Sequence, residues 1–308
     1  MIISASYRSD IPAFHGEWFL AAFSAGRVAV ANPYNRRASI VDLRPEAVDG
    51  YVFWTRNARP FMRALGAVAA QGTPFVVHYT IIGYPRTIDT SVIDPSLAIA
   101  SAREIARSYG RRRVVWRYDP ILLTPDTETG WHRANFARLA DALAGIADEV
   151  VVSFAQLYAK SARNLARAGV AWREPGPAEQ AALAAALGEA AARREIPLTL
   201  CTQPELAGAT GLPGAHCIDA ARLGAIAGRP IAAPIKGNRP GCLCAESRDI
   251  GAYDTCVHGC RYCYAVADHD SVQRRMRQTR LLAAAPTQAP SANPLQQRDL
   301  LFRPAVRE

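Results

Sequence analysis

Cysteine is absent from the first 200 residues of this 308-residue chain, and all seven cysteines follow that point. Five of them lie between residues 242 and 263. A disulfide framework is typical of small exported proteins and distributes its cysteines through the fold, so this distribution counts against it. The clustering predicts metal or redox chemistry in the last third of the chain.

No export signal is expected from the first residues, and no apolar run in the sequence is long enough to cross a bilayer. Its first six residues have the composition of a strand, without the charged start and small-residue cleavage site of an export signal. We therefore expect a cytoplasmic protein that makes no membrane contact.

Three common catalytic motifs are missing as well. No Gly-rich phosphate loop stands between a predicted strand and a predicted helix. Neither a Gly-x-Ser-x-Gly elbow nor a His-Glu-x-x-His zinc helix occurs. These absences remove support from several common enzyme classes.

Lysine is nearly absent, since Lys160 and Lys236 are the only two, and arginine supplies almost all the positive charge behind a net charge of +9. A local concentration of arginine just after the cysteine cluster comprises Arg274, Arg275, Arg277 and Arg280. A solvated helix face explains this cluster most simply. Nucleic-acid binding or repair is the alternative that a basic patch admits.

Short runs of β-branched and aromatic residues recur at intervals that leave room for a helix. The runs are residues 2–6, 51–55, 75–82, 114–118, 150–154 and 197–201. Helical stretches lie between them at residues 95–109, 133–147 and 178–194. This alternation predicts an α/β fold whose repeated β-α units form a parallel sheet, curled into a complete or partial TIM-like barrel.

Polar residues follow the predicted strands, where barrel enzymes place their catalytic groups. They are Arg8, Asp10, Arg56, Asn57, Tyr84, Asp119, Gln156, Tyr158, Gln203 and Glu205. Each one alone is explained as a cap or a turn residue. Together they predict a polar barrel mouth, and its catalytic candidates are Arg8, Asp10, Asn57 and Asp119.

Three cysteines stand at loop spacing in the clustered region, as Cys256-x3-Cys260-x2-Cys263. Such a loop can offer thiolates to successive corners of one iron-sulfur cluster. Three thiolates on a 4Fe-4S cluster leave one iron open to a small molecule, as at catalytic metal sites generally. The alternative is a zinc site built from Cys242, Cys244, Cys260 and Cys263, which leaves Cys256 without a role.

The four other cysteines equal in number the ligands of a second, fully ligated cluster. They are Cys201, Cys217, Cys242 and Cys244. Cys242 and Cys244 are the favoured members of such a site. Cys201 ends a predicted strand and is also explained as a small buried hydrophobic residue.

Residues 258–264, His-Gly-Cys-Arg-Tyr-Cys-Tyr, are similar to the signature of radical S-adenosylmethionine enzymes, and most of all to its spore photoproduct lyase branch. The resemblance implies that Cys256, Cys260 and Cys263 hold a 4Fe-4S cluster and that S-adenosylmethionine binds its open iron. It further implies release of a 5'-deoxyadenosyl radical on reduction, and a reductant such as flavodoxin or ferredoxin. Tyr262 is then expected beside the cofactor. In those enzymes the loop follows the first strand, so its late position here implies a circularly permuted order.

Residues from about 1 to 268 resemble a bacterial family called domain of unknown function 1848. The matching segments are residues 6–13, 32–33, 52–57, 118–120, 217–219, 242–244 and 249–253. Their shared order makes the resemblance specific, but it implies no particular activity.

These observations divide the chain into three parts. Residues 1–235 form the predicted barrel-like domain, and residues 236–270 form an iron-sulfur segment packed on its mouth. Residues 271–308 form a basic helix and a tail, rich in Pro, Gln, Ala and Ser, that we expect to be disordered.

The leading hypothesis is an iron-sulfur enzyme that uses S-adenosylmethionine for radical chemistry on an unknown substrate. A non-enzymatic redox, electron-transfer or zinc-binding protein is the first alternative. Nucleic-acid repair or binding is the second.

Overall fold

A computed structural model describes residues 1–33, 35 and 37–284, with side chains as far as residue 278. The strands are β1 (Ile2–Ala5), β2 (Arg27–Ala31), β3 (Ala38–Asp42), β4 (Gly50–Thr55), β5 (Phe75–Thr80), β6 (Val114–Ile121), β7 (Glu149–Phe154), β8 (Leu198–Leu200) and β9 (Ser247–Asp249). The α-helices are α1 (Ile11–Phe14), α2 (Gly16–Ser24), α3 (Met62–Ala70), α4 (Pro95–Tyr109), α5 (Thr129–Leu143), α6 (Ala159–Arg167), α7 (Pro177–Ala192), α8 (Pro204–Thr210), α9 (Ala220–Ala227) and α10 (His269–Ala284).

Seven of the strands form one sheet in the order β8-β7-β6-β5-β4-β1-β9, and every neighbouring pair in it is parallel. Helices connect successive strands, as parallel pairing requires. The strands β2 and β3 pair with each other as a separate antiparallel hairpin. The predicted α/β class and its parallel sheet are therefore confirmed.

The sheet includes β9, a strand from the cysteine-rich segment that is not predicted from the sequence.

Backbone hydrogen bonds continue beyond both edge strands. The N–H of Leu200 donates to the carbonyl of Pro213 at 2.8 Å, and the N–H of Ala215 donates to the carbonyl of Leu200 at 2.9 Å. The N–H of Ala245 donates to the carbonyl of Ile218 at 2.9 Å. Residues 213–218 are thus bonded to β8 on one side and to the approach to β9 on the other.

Both faces of the sheet are buried, as is usual for parallel strands. On one face Ile3, Phe53, Tyr79 and Trp116 belong to a large hydrophobic cluster shared with the helices. On the other face a second cluster contains Ile2, Val52, Val76, Val115 and Val151, one residue from each of five neighbouring strands. Alternation of side chains along each strand separates the two clusters.

The helix α4 has the bounds expected from the sequence, since Asp94 accepts a hydrogen bond from the N–H of Ser96 at 2.8 Å and Gly110 ends the helix with a φ of 93°. The helix predicted at 133–147 instead spans Thr129–Leu143. The helix ends before Ala144, whose ψ of 131° is not helical, and Gly145 follows with a φ of 71°.

The last part of the chain is only partly described. The predicted basic helix corresponds to α10, which begins at His269. The predicted tail lies outside the described residues from residue 285 onward. Within the described part, no helix combines the length and apolar character needed to cross a membrane.

Candidate functional site

The face of the sheet that carries the aliphatic layer becomes polar toward the carboxyl ends of the strands. Two residues beyond each aliphatic residue, the same face presents Ser4, Trp54, His78, Arg117 and Ser153. The rings of Trp54 and His78 stack with centroids 4.5 Å apart, and the Arg117 guanidinium lies 5.1 Å from the Trp54 ring. The sheet therefore offers polar groups at the edge where parallel sheets place ligand sites.

The end of β9 is tied to the end of β1 through the buried carboxylate of Asp249. It accepts hydrogen bonds from Ser4 Oγ at 2.9 Å, Ser6 Oγ at 2.7 Å and the N–H of Tyr7 at 3.0 Å. The cysteine loop begins directly after this point. Its start is therefore held at the carboxyl end of β1.

Asp10 connects three parts of the same edge. One carboxylate oxygen accepts from the N–H of Ala13, capping α1, and from Thr55 Oγ1 at the end of β4. The other oxygen accepts from the N–H of Arg56 at 2.7 Å and lies 2.7 Å from His258 Nε2 in the cysteine loop. The predicted catalytic candidate Asp10 thus holds the loop against the sheet.

Arg56 makes a second connection to the loop. Its guanidinium forms a buried ion pair with Asp89, with Nη2 donating to Oδ2 at 2.6 Å. Its Nη1 also donates to Cys260 Sγ at 3.0 Å and to the hydroxyl of Tyr262. The backbone of Asp89 forms an isolated antiparallel bridge with that of Cys260. The loop after β5 and the cysteine loop therefore meet around one buried cation.

Burial shifts the pKa values of all three thiols of this loop in the same direction. Burial raises the pKa of Cys256, and negative charge on Asp10 and Cys263 adds to the effect. Burial likewise raises the pKa of Cys260 and of Cys263. The Arg56 guanidinium opposes the increase at Cys260, while negative charge on Cys256 and Cys263 adds to it. Metal uptake by these thiols would therefore have to displace protons.

The cysteine loop offers the type of ligand that iron-sulfur clusters bind, namely thiolates. Its three free thiols come with donors to sulfur, namely Arg56 at Cys260 and the N–H of Ala265, which donates to Cys263 Sγ at 3.3 Å. Such bonds to sulfur tune cluster potentials. Among the described side chains, however, no three His, Cys, Asp or Glu residues are arranged to hold a metal ion.

Tyr262 lies among these groups. Its hydroxyl accepts from Arg56, and its ring contacts Tyr84 edge to face with centroids 5.8 Å apart. Burial raises its pKa well above the usual value. The tyrosine is therefore a neutral side chain in the wall beside the cysteine loop.

The three other catalytic candidates have structural partners. Arg8 lies 3.8 Å from the Asp249 carboxylate and stacks on the rings of Tyr7 and Tyr253. Asn57 accepts from the N–H of Arg59 at 3.2 Å. Asp119 pairs with Arg117 and with Ser153 Oγ, across the sheet from the loop contacts of Asp10.

The remaining four thiols form a second group. The sulfurs of Cys201 and Cys217 are 3.6 Å apart, and the side chain of Cys244 hydrogen-bonds to those of Cys217 and Cys242. The bond to Cys201 lowers the pKa of Cys217, but the bond to Cys244 and burial raise it further, to about 11. The bond to Cys244 is the main reason why the pKa of Cys242 is lowered to about 6.

The sulfur contacts thus join Cys201, Cys217, Cys244 and Cys242, whereas Cys256, Cys260 and Cys263 share one loop. The zinc alternative from the sequence would combine Cys242 and Cys244 with Cys260 and Cys263. No contact among the described side chains joins these two pairs.

Four residues that contact the thiols or Asp10 differ in how far the sequence indicates them. Arg56 is among the polar residues that follow a predicted strand, whereas Asp89, His258 and Arg117 are not selected from the sequence as site residues. Arg56 carries a signal, because it directly follows a predicted strand. Asp89 carries none, since it lies in an irregular loop and meets Arg56 only through folding.

The arginines on α10 belong to a described helix, and Arg275 Nη2 donates to the carbonyl of Asp254 at 2.5 Å. Nucleic-acid binding stays a prediction.

Fold and site together define an α/β protein with a parallel sheet and a cysteine loop docked at its carboxyl edge. A family model described as domain of unknown function (DUF1848) matches residues 2–265. Because this match covers most of the chain, the protein belongs to that family. No curated protein matches the chain.

Proposed function

We propose that the protein is an iron-sulfur enzyme of the radical S-adenosylmethionine type, with Cys256, Cys260 and Cys263 as the ligands of a 4Fe-4S cluster. The observation that carries the proposal is the docking of the three-cysteine loop against the polar edge of a parallel sheet, through the contact of Cys260 with Arg56 and that of His258 with Asp10. A bound cluster of this kind supplies an electron to S-adenosylmethionine at its open iron.

The permuted order proposed from the sequence is supported by the position of the loop. The loop follows β9, and β9 pairs in parallel with β1. If β9 is counted as the first strand of the repeat, the loop follows the first strand, as in the resembling enzymes. A barrel closure is supported by the backbone bonds that residues 213–218 make to β8 and to Ala245.

Polar side chains at the same edge favour an enzyme over an electron carrier. A carrier needs a buried cluster and a docking surface, whereas Arg117, His78 and Ser153 line a sheet face near its carboxyl end. Buried polar groups are costly unless they have a role or a partner. His78 Nδ1 is buried without a hydrogen-bond partner among the described residues, so its capacity to form a hydrogen bond is unused there.

The protein's own residues would orient and shield the reactants. Arg56 places positive charge beside Cys260, which favours its thiolate form. Asp10 holds His258 and with it the middle of the loop. Tyr262 and Tyr84 form an aromatic wall that limits access of water to this side of the loop.

The decisive experiment is anaerobic reconstitution with iron and sulfide, then reduction in the presence of S-adenosylmethionine. We expect 5'-deoxyadenosine to form in the reconstituted natural chain. The variants Cys256→Ala, Cys260→Ala and Cys263→Ala should each abolish it, because two thiolates hold the cluster poorly. Arg63→Met, which removes one member of the exposed ion pair with Glu17, is the control, since it lies outside both groups of cysteines.

Two results would contradict the proposal. One is an iron-loaded, reduced protein that leaves S-adenosylmethionine intact. The other is a Cys256→Ala variant that keeps full activity, which would show that the loop does not hold the catalytic cluster.

A further inference from the structure

The four cysteines outside the loop come from three segments that are distant in sequence. Cys201 directly follows β8, Cys217 lies in residues 213–218, and Cys242 with Cys244 lies just before β9. All four are free thiols, and they form a continuous chain of contacts from Cys201 through Cys217 and Cys244 to Cys242. The fold therefore collects every cysteine that the loop does not use.

These contacts differ from those of ordinary buried cysteines, which pack as small hydrophobic groups. Here the sulfurs accept hydrogen bonds. Arg117 Nη1 donates to Cys217 Sγ at 3.1 Å, and the N–H of Ile218 donates to Cys244 Sγ at 3.4 Å. Arg239 Nη2 lies 4.0 Å from Cys201 Sγ. Donors to sulfur are the groups that support thiolate ligands around metals.

The charged groups around the four cysteines also favour a metal centre. Arg117 is only 7% exposed, and Asp119 is its one carboxylate partner in the described structure. A centre held by four thiolates carries net negative charge, whether it is a zinc ion or a 4Fe-4S cluster, and burial of that charge requires cations nearby. Arg117 and Arg239 supply them at two corners of the thiol group.

We propose that Cys201, Cys217, Cys242 and Cys244 hold a second, fully ligated metal centre of the thiophilic class, separate from the three-cysteine loop. The described side chains do not themselves form a closed ligand set, so the four thiols must converge when the metal binds. Iron-sulfur clusters and tetrahedral zinc share this four-thiolate chemistry. The 3.6 Å between Cys201 Sγ and Cys217 Sγ is near the edge of a tetrahedron with metal–sulfur bonds of about 2.3 Å. A cubane spreads its ligands farther, so it would require these sulfurs to move apart. With no open position, the centre has a structural or electron-transfer role.

The proposal does not rest on S-adenosylmethionine chemistry, and its test separates the two. Two complementary variants are compared: Cys256→Ala/Cys260→Ala/Cys263→Ala, which lacks the loop thiols, and Cys201→Ala/Cys217→Ala/Cys242→Ala/Cys244→Ala, which lacks the second group. Both are purified and reconstituted anaerobically, checked for folding by circular dichroism, and analysed for iron, sulfide and zinc per chain.

We expect the first variant to keep a metal centre. Iron with sulfide at about half the content of the natural chain identifies a cluster, whereas about one zinc per chain without sulfide identifies a single ion. Adding Cys217→Ser to this variant should remove either centre. A folded first variant with neither metal, or one whose metal survives Cys217→Ser, overturns the proposal.

Alkylation of the natural chain covers the case in which a variant fails to fold. Under anaerobic native conditions the four thiols should resist iodoacetamide and become labelled after treatment with a chelator, as read by mass spectrometry at each cysteine. Equal labelling with and without the chelator, or a Cys201–Cys217 disulfide in the anaerobic protein, overturns the proposal. If the natural chain does not cleave S-adenosylmethionine but its four thiols are still protected from iodoacetamide, the result counts against the proposed function alone.

Discussion

Arg56 shows at the scale of single residues how the loop and the sheet depend on each other. Its guanidinium is buried, and the Asp89 carboxylate, Cys260 Sγ and the Tyr262 hydroxyl surround it. A buried ion pair contributes little net stability compared with a packed hydrophobic pair, but removal of one partner leaves the other charge uncompensated. The stability of the docked loop should therefore depend on both members.

The first prediction concerns this ion pair. Arg56→Met should lower the free energy of unfolding by about 3 to 5 kcal/mol, because the Asp89 carboxylate is left buried without its cation. Urea denaturation followed by circular dichroism measures the change. The matched control is Arg63→Met in the exposed pair with Glu17, which should cost less than about 1 kcal/mol. Equal effects of the two substitutions would show that the buried pair is not special.

The second prediction concerns His132, which burial keeps neutral. Its Nδ1 lies 2.9 Å from the Tyr118 hydroxyl and its Nε2 lies 3.2 Å from the Leu122 carbonyl. Desolvation lowers its pKa from 6.5 to about 4. The unfolded state therefore binds a proton before the native state does, so this contribution to stability is complete above about pH 6.5 and is lost as the pH falls toward 4.

Urea denaturation at about pH 7.5 and about pH 4.5 tests this dependence. The natural chain should lose roughly 2 to 3 kcal/mol through His132 between these values. His132→Gln has no titrating ring. The free energy of unfolding of this variant should therefore fall by roughly 2 to 3 kcal/mol less than that of the natural chain between the two pH values. Parallel pH profiles for the two proteins would refute the assignment.

At the scale of secondary-structure elements, β9 depends on side-chain bonds as well as on its ladder. The strand is Ser-Arg-Asp, three residues long, and it contributes little hydrophobic surface. Asp249 adds polar contacts in place of hydrophobic ones, because its buried carboxylate accepts hydrogen bonds from Ser4, Ser6 and the backbone of Tyr7. The position of the cysteine loop that follows is set by the same carboxylate.

The third prediction tests that connection. Asp249→Ala leaves buried donors without an acceptor, so we expect a loss of about 3 kcal/mol in unfolding free energy and reduced iron retention by the loop. The control is Glu246→Ala, which removes an exposed partner of Lys236 and should cost less than about 1 kcal/mol. Iron content unchanged by Asp249→Ala would separate loop docking from cluster retention.

At the scale of the whole molecule, the first and last strands of the sheet are neighbours. Pairing of β1 with β9 makes residues 1–235 incomplete as a sheet, although the sequence suggests a domain boundary there. The hydrophobic residue Ile250, directly after β9, also belongs to the large cluster. Folding of the sheet and docking of the cysteine loop should therefore be one cooperative event.

The fourth prediction follows from this arrangement. A chain ending at residue 235 should lack a cooperative urea transition, since it exposes β1 as an edge and loses the partners of Ser4 and Ser6. A chain ending at residue 284 keeps every described element and should unfold cooperatively. A shorter chain with an unchanged midpoint would instead establish residues 1–235 as an independent domain.

Much of the fold could be predicted because its strands are regular and apolar. The runs at residues 51–55, 75–82 and 150–154 match β4, β5 and β7, where β-branched and aromatic residues are buried on both faces. The short polar β9 carries no such signal. The β2–β3 hairpin carries only the alternation of a half-buried strand, with burial at every second residue of β2. Of the candidate site, Asp10 could be selected from its place after β1, but its contact with His258 joins residues 248 positions apart.

The sequence by itself determined the α/β class, the separate cysteine-rich region and the family, because these depend on local patterns of apolar residues and on motif spacing. Only the tertiary structure decided that β9 pairs with β1, that Arg56 and Asp89 meet at Cys260, and that the cysteines divide into groups of three and four. These contacts join residues far apart in the chain. Sequence spacing carries no distance information across such separations, and the sheet supplies it by bringing the carboxyl ends of its strands to one edge.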